Sequence, residues 1–221
     1  MTLGTMASDV ELRIDFDAMR KYRLQRAREQ MEKYDLGALV CFDSDNIRYI
    51  TGTYLSEWTR GKYFRWCVLP RGGEPVLFEV GTAAIVKRQL CPWLKPENIR
   101  PSMPWMRGAN VKAVNVELSR NAVAEIKAIL EEHHVANLPV GVDETEMYFL
   151  DAMAHAGLKV ANAYDVMFDA RLIKSPEELK IIETSASMVD GVYAQVADFI
   201  KPGVREHEVV ALISGWLTEH G

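Results

Sequence analysis

The segment from Ser175 to Gly203 constrains the fold most strongly, because a complete set of helix start and stop signals encloses it. Ser175 is followed directly by Pro176 and, three positions on, by Glu178, which is the spacing of a capping box with proline at the first helical position. Apolar residues then recur close to every 3.6 positions until Pro202 and Gly203 end the pattern. The sequence therefore predicts one long amphipathic helix here.

A second helix is predicted to begin at Glu206, and the two helices together carry a large apolar surface. No further predicted element covers seven of their apolar side chains: Val196, Ile200, Val209, Leu212, Ile213, Trp216 and Leu217. Because large exposed apolar patches are uncommon on monomers, we expect a neighbouring chain or a multi-chain contact to cover this segment.

Residues 15–170 alternate between helix-like and strand-like patterns, which favours an α/β fold with a mixed sheet flanked by helices. Gly72 and Gly73 predict a hairpin connection. The polar stretch Asp43–Asn46 is predicted to be a turn, although its aspartates could also hold a divalent ion through oxygen ligands. Residues 1–14 are interpreted as a frayed lead. The predicted elements are helices at 15–34, 82–90, 118–134 and 143–156, and strands at 38–42, 64–69, 75–80, 138–142 and 159–165.

Composition excludes several classes of partner. Lysine and arginine number 26 against 31 aspartates and glutamates, a net charge of −5, so nucleic acid and anionic membranes are not expected as partners. The predicted first helix is strongly basic, and its basic face is either an anion or partner contact or a solvated surface. Cys41, Cys67 and Cys91 lack metal-motif spacing and are predicted to be buried thiols, which favours a reducing, cytoplasmic location.

Self-contained catalytic motifs are absent from the sequence. There is no GxSxG elbow, no HExxH motif and no P-loop. The five histidines lack carboxylate-rich neighbours at metal-ligand spacing, and His133 and His134 are predicted to end a helix. The sequence therefore predicts no catalytic residue and no metal ligand in these 221 residues.

The segment from Arg171 to about Leu217 resembles the entry to the catalytic domain of the creatinase / Xaa-Pro aminopeptidase / prolidase superfamily, the pita-bread metallohydrolases. The resemblance lies in the phrase R-x-I-K-S-P-E-E-L and in the later K-P-G-x-x-E-x-E-V. It implies a creatinase-type N-terminal domain at 15–170 and the first helices of an incomplete pita-bread domain at 171–221. It also implies a parent hydrolase with two divalent metal ions (Mn, Zn, Co or Fe), whose ligands would lie beyond residue 221.

A second resemblance suggests substrate contacts. Residues 46–52 resemble an N-I-x-Y-x-x-G phrase of creatinase-type N-terminal domains, and the loop after them is similar to a creatinase loop that reaches the other subunit's substrate pocket. This resemblance implies that Trp58, Arg60 and Tyr63 bind substrate in a partner subunit of a homodimer. Gly61 is one residue more than that pattern contains.

Three functions remain open from the sequence. The first is the N-terminal portion of an enzyme like Xaa-Pro dipeptidase or aminopeptidase P, with a small peptide substrate, inactive as this chain alone. The second is a creatinase-like amidinohydrolase or a member like the dimethylsulfoniopropionate lyase, with a small-molecule substrate; the region from Met19 to Asp43 resembles that lyase. The third is a non-catalytic module for dimerisation or binding.

Overall fold

The computed structural model describes residues 14–54, 64–102 and 111–220. The chain divides into two compact units. The larger unit is Arg20–Ile173. The smaller unit combines Met1–Met19 with Lys174–Gly221, of which residues 14–19 and 174–220 are described.

Helices and strands alternate through the described part of the larger unit. The strands are β1 Ala38–Cys41, β2 Trp66–Pro70, β3 Val76–Val80, β4 Ile99–Ser102, β5 Val140–Val142 and β6 Val160–Asn162. The described helices of the larger unit are α1 Phe16–Lys33, whose first turn belongs to the smaller unit, α2 Ser44–Thr51, α3 Ala83–Leu90, α4 Lys112–Glu132, α5 Met147–His155 and α6 Tyr164–Leu172, with a short 3-10 turn at Pro96–Asn98. The smaller unit contains α7 Pro176–Phe199 and α8 Glu206–His220.

The strands form a six-stranded sheet in the order β4-β3-β2-β1-β5-β6. Strand β2 runs antiparallel to β1 and β3, whereas β1–β5, β3–β4 and β5–β6 are parallel pairs. The predicted α/β class with a mixed sheet is therefore confirmed. The predicted hairpin at Gly72–Gly73 joins β2 to β3, and Gly72 takes the positive φ of 76° that this connection requires.

Each face of the sheet carries its own hydrophobic core, because neighbouring residues of a strand point to opposite faces. Val40 and Val68 pack with α4 and α5 in one core, which includes Ile126 and Phe149. Leu39 and its neighbours pack with α1, α2 and α6 in the other core. The strand residues in both cores come from the short apolar runs that predicted these strands.

Two local predictions are wrong. The stretch Asp43–Asn46 is not a free turn: the Asp43 carboxylate accepts hydrogen bonds from the backbone N–H groups of Asp45 and Asn46 and is the N-cap of α2. Ser, Asp and Asn favour caps and turns over helix interiors, so the start of this helix has the composition of a turn. No element was predicted between the strand at 159–165 and the helix that follows Ser175, but helix α6 occupies most of this interval.

The smaller unit confirms the predicted capping box. The Ser175 hydroxyl accepts a hydrogen bond from the Glu178 backbone N–H at 3.1 Å, and the Glu178 carboxylate accepts one from the Ser175 backbone N–H at 2.8 Å. Helices α7 and α8 pack closely where Gly191 lies against the Trp216 indole. Of the seven apolar side chains that we expected to be uncovered, Ile200 and Leu217 are exposed and the other five are partly buried: Val196, Val209, Leu212, Ile213 and Trp216.

Candidate functional site

The three predicted substrate-binding residues lie outside the described residues. Trp58, Arg60 and Tyr63 belong to the segment 55–63, so their assignment stays a prediction. The structure does describe the residues on either side of this segment. Residues 53–54 precede it and residues 64–65 follow it.

A buried ion pair lies at the second of these two ends. The Arg65 guanidinium donates from Nε to the Glu79 carboxylate at 2.9 Å, and the two side chains are 3% and 0% exposed. The second carboxylate oxygen of Glu79 accepts the Val80 backbone N–H at 3.2 Å. The hairpin explains the pairing. Its register places Trp66 opposite Phe78, so Arg65, which directly precedes β2, comes opposite Glu79 of β3.

Hydrogen bonds join this ion pair to the other end of the segment. An Nη atom of Arg65 donates to the Thr53 hydroxyl, and the Thr53 and Thr51 hydroxyls are 2.6 Å apart. Thr51 donates its own hydroxyl proton to the carbonyl of Ile47 at 2.7 Å. Because that proton is already used, Thr51 accepts from Thr53, and the hydrogen bonds run in one direction from Arg65 to the carbonyl of Ile47.

Further contacts hold the chain immediately before residue 55. The Lys87 ammonium donates to the Tyr54 carbonyl at 2.5 Å, and the Arg48 guanidinium lies 5.1 Å from the centre of the Tyr54 ring. The Trp93 indole N–H donates to the carbonyl of Thr51 at 2.9 Å. Helices α2 and α3 and the residues after α3 therefore all contact this end of the segment.

Sequence reasoning missed Arg65 and Glu79. The available signal was a single glutamate within the apolar strand Val76–Val80 and a single arginine directly before the strand that pairs with it. Once the hairpin connection at residues 71–74 is assigned, counting back along both strands places these two charges opposite each other. Charged side chains in strands usually lie at the protein surface, so the sequence alone gives no reason to pair these two residues in the interior.

A second polar site lies at the carboxyl ends of β1 and β5. The Asp143 carboxylate accepts the backbone N–H groups of Phe42 at 2.9 Å, Asp43 at 3.2 Å and Glu144 at 2.6 Å, and the Asn46 side-chain amide at 3.0 Å. Helix α2 follows β1 on one face of the sheet and α5 follows β5 on the other. Adjacent parallel strands with connections to opposite faces define a switch point, where α/β proteins often bind ligands.

At this switch point the N–H donors bind the chain's own Asp143 carboxylate. Burial raises the pKa of Asp143 to about 6, and its four N–H donors act in the opposite direction. Asp43 serves as a helix cap, and the Asn46 side-chain carbonyl accepts a hydrogen bond from Arg171 at 3.0 Å. Of the two aspartates of the predicted turn, Asp43 therefore acts as a backbone cap, and we do not assign a divalent ion to this turn.

The basic face of α1 makes contacts within its own chain. Arg26 donates to the carbonyl of Asp169 at 3.0 Å, and Lys33 contacts the Asp169 carboxylate at 3.1 Å. Arg28 donates to the carbonyl of Gly73 at 2.8 Å. These contacts fasten α1 to α6 and to the hairpin. Much of the basic face is therefore used within the larger unit, so neither of the two alternatives from the sequence describes it fully.

The three cysteine thiols are shielded from solvent. Cys41, Cys67 and Cys91 are free and buried, which confirms the prediction of buried thiols. The adjacent Cys67 thiol and burial raise the pKa of Cys41 well above its usual value. Burial also raises the pKa of Cys91. Since the thiolate is the reactive form, these shifts disfavour chemistry at either group.

Across residues 14–54, 64–102 and 111–220, His, Cys, Asp and Glu side chains do not form a group of three or more that could hold a metal ion. His133 ends α4 as predicted, and its ring lies against Gly73. The described residues therefore do not fit the metal pair that the resemblance implies for a parent enzyme.

The fold and these sites define a class of protein: an α/β domain with a six-stranded mixed sheet, two cores and a polar network beside residues 55–63, followed by two long helices. A family model described as the Creatinase/Prolidase N-terminal domain matches residues 23–173, more than half of the chain. The chain belongs to this family. Among the described residues, none of the helices has the length and apolarity needed to cross a membrane.

Curated relatives are distant and longer than this chain. The dimethylsulfoniopropionate lyase DddP from Roseobacter denitrificans is 22% identical over 191 residues, a match that covers 86% of this chain and 42% of the lyase. Creatinase from a Bacillus species is 26% identical over 192 residues, covering 85% of this chain and 42% of creatinase. The chain therefore spans half or less of the length of such relatives.

A solved structure supports the fold. The Xaa-Pro dipeptidase from Bacillus anthracis matches 90% of this chain and 49% of its own length with a TM-score of 0.60 at 14% sequence identity. At this identity the likeness concerns the fold alone. It agrees with the predicted architecture of a creatinase-type N-terminal domain followed by long helices.

Proposed function

We propose that this chain supplies the N-terminal domain and the first catalytic-domain helices of a metal-dependent hydrolase resembling Xaa-Pro dipeptidase or aminopeptidase P. The observation that carries the proposal is the family match over residues 23–173. The fold likeness to an Xaa-Pro dipeptidase, which extends over 90% of the chain, supports the choice of class. A small peptide is the proposed substrate of the parent enzyme, and neither nucleic acid nor a membrane is a proposed partner.

The proposed contribution of this chain is to substrate binding in a homodimer. Arg60 would hold a substrate carboxylate through two parallel hydrogen bonds, and Trp58 would cover an apolar or cationic group, with Tyr63 beside them. The buried network at both ends of residues 55–63 supports this role, because substrate-contacting residues require a rigid support. A cytoplasmic location is proposed from the three free, buried cysteines.

The two divalent ions (Mn, Zn, Co or Fe) of the parent enzyme are proposed to be bound outside these 221 residues. The test is to purify the chain, titrate each metal by calorimetry, and assay Gly-Pro hydrolysis with each metal present. We expect neither tight binding of a metal pair nor turnover. Metal-dependent hydrolysis by the purified chain would overturn the proposal that it is inactive alone.

A second candidate is an enzyme acting on a small molecule, because the curated relatives include a dimethylsulfoniopropionate lyase and a creatinase. The discriminating experiment is to clone the gene with its downstream flank, express the full reading frame, and assay it with Mn²⁺ on Gly-Pro, creatine and dimethylsulfoniopropionate. Turnover of the dipeptide supports the first candidate, and turnover of either small molecule supports the second. A stable dimer without turnover would instead support the binding module.

A further inference from the structure

The buried polar side chains beside residues 55–63 make up a connected set, here called the polar anchor: Thr51, Thr53, Arg65 and Glu79. We propose that the polar anchor fixes the chain before and after residues 55–63 in one relative geometry, and that its members are positioning residues for the substrate contacts of that segment. The role in substrate binding rests on the proposed function, whereas the anchoring itself concerns described residues.

The first argument is that stability alone gives a poor account of the Arg65–Glu79 pair. Both side chains are almost completely withdrawn from water. A buried ion pair is often no more stabilising than a pair of apolar residues of the same volume, because the desolvation of both charges offsets their attraction. A specific geometry is what the charged pair adds.

The second argument is that the geometry spans the two ends. Arg65 contacts Glu79 on β3 with Nε and Thr53 with Nη, so one planar group joins the chain after the segment to the chain before it. A guanidinium is rigid and directs its N–H groups at fixed angles, which an ammonium does not. The distance between the two ends is therefore set by the shape of a single side chain.

The third argument is that each end is also fixed to a different part of the larger unit. On the side before the segment, Thr51 donates to the carbonyl of Ile47 in α2 and its own carbonyl accepts from Trp93. On the side after it, Glu79 is held through the Val80 backbone N–H and belongs to β3. The polar anchor thus ties both ends to one helix and one strand of the scaffold.

The experiment compares a charge-free double variant with a matched control. Arg65→Met with Glu79→Met removes the ion pair but keeps apolar volume. Arg100→Met with Glu125→Met removes a partly exposed Arg–Glu pair of the same unit, joined at 3.2 Å. Hydrogen exchange is measured by mass spectrometry for residues 51–54 and 64–66, with Val140–Val142 of β5 as the internal reference, and urea titration reports overall stability.

We expect exchange at residues 51–54 and 64–66 to accelerate about tenfold in the anchor double variant relative to the β5 reference, since local opening is set by local contacts. The control double variant should leave both regions unchanged. Thr53→Val, which cuts the connection but leaves the ion pair, should accelerate exchange at 51–54 while the Val80 amide stays protected. Valine has nearly the same shape as threonine, so we expect this variant to fold.

Two outcomes would overturn the inference: unchanged exchange at both ends, or acceleration by the same factor in β5, which would indicate a general loss of stability. The measurement needs no turnover, so it stands apart from the proposed function. If the full reading frame is active, the anchor double variant should raise KM more than it lowers kcat. A catalytically silent full reading frame, together with the expected exchange result, would refute the proposed function and leave the anchor intact.

Discussion

Replacing Asp143 with asparagine should change how the stability of the larger unit depends on pH. The Asp143 carboxyl has a folded-state pKa of about 6, raised by burial above its ordinary value of 3.8. A raised pKa means that the folded state holds this proton more tightly than the unfolded chain does. The stability contributed by the group is therefore fully present below about pH 4 and is lost as pH rises through about 6.

The magnitude follows from the two pKa values. The interval between 3.8 and about 6 corresponds to at most about 3 kcal/mol, at roughly 1.4 kcal/mol for each tenfold change in proton affinity. Asparagine has the same shape and does not titrate. The difference in unfolding free energy, parent minus Asp143→Asn, should therefore fall by up to about 3 kcal/mol between about pH 4 and pH 7.

The assay is urea unfolding followed by tryptophan fluorescence at closely spaced pH values from about 4 to about 7.5, analysed by linear extrapolation. Asp35→Asn, at an exposed position paired with Arg71, provides the background for removing one negative charge from the same unit. Comparing variants cancels the titration of all other carboxylates. A difference that stays constant or grows with pH would refute the reasoning, because it would mean that the four N–H donors to Asp143 outweigh its burial.

Three further predictions concern single contacts. Gly215→Ala, in open space on α8, should stabilise the helix pair by about 0.5–1 kcal/mol through helix propensity. Gly191→Ala should lose this gain, because the added methyl carbon would lie 2.9 Å from the Trp216 indole and would displace it. Thermal unfolding followed by circular dichroism compares the two variants. Ser175→Ala should cost about 1 kcal/mol in the same assay by removing the cap of α7. Arg65→Met alone should lower the free energy of unfolding, measured in urea, by about 3–5 kcal/mol, because it leaves Glu79 buried without its charged partner. Adding Glu79→Met should recover most of that loss. An equal loss in the single and double variants would contradict this account.

The success of the sequence-based fold prediction has an identifiable physical basis. The capping box at Ser175, the apolar runs of β1 and β2 and the glycine hairpin are all local patterns, in which residues near each other in sequence make the decisive interactions. The two errors are also local. The start of α2 has turn-forming residues that the Asp43 cap makes helical, and α6 is a short apolar run that periodicity alone does not separate from a strand.

The candidate site was predicted less well than the fold. Resemblance pointed to Trp58, Arg60 and Tyr63, which lie outside the described residues, and missed the polar anchor beside them. The sequence predicts that Asp143 begins a helix, whereas its carboxylate accepts hydrogen bonds from N–H groups of residues about a hundred positions earlier in the chain. No pattern within a short window reports such a partner.

The amino-acid sequence by itself determined most helices and strands and the α/β class, because these depend on periodicity, caps and turns within a few residues. The family was indicated separately, by the resemblance of two motifs. Only the tertiary structure decided that Arg65 lies against Glu79 and Thr53, and that Asp143 closes the switch point between β1 and β5. The physical reason is that a buried charge must find partners wherever the fold brings them, and strand order and register place those partners far apart in sequence.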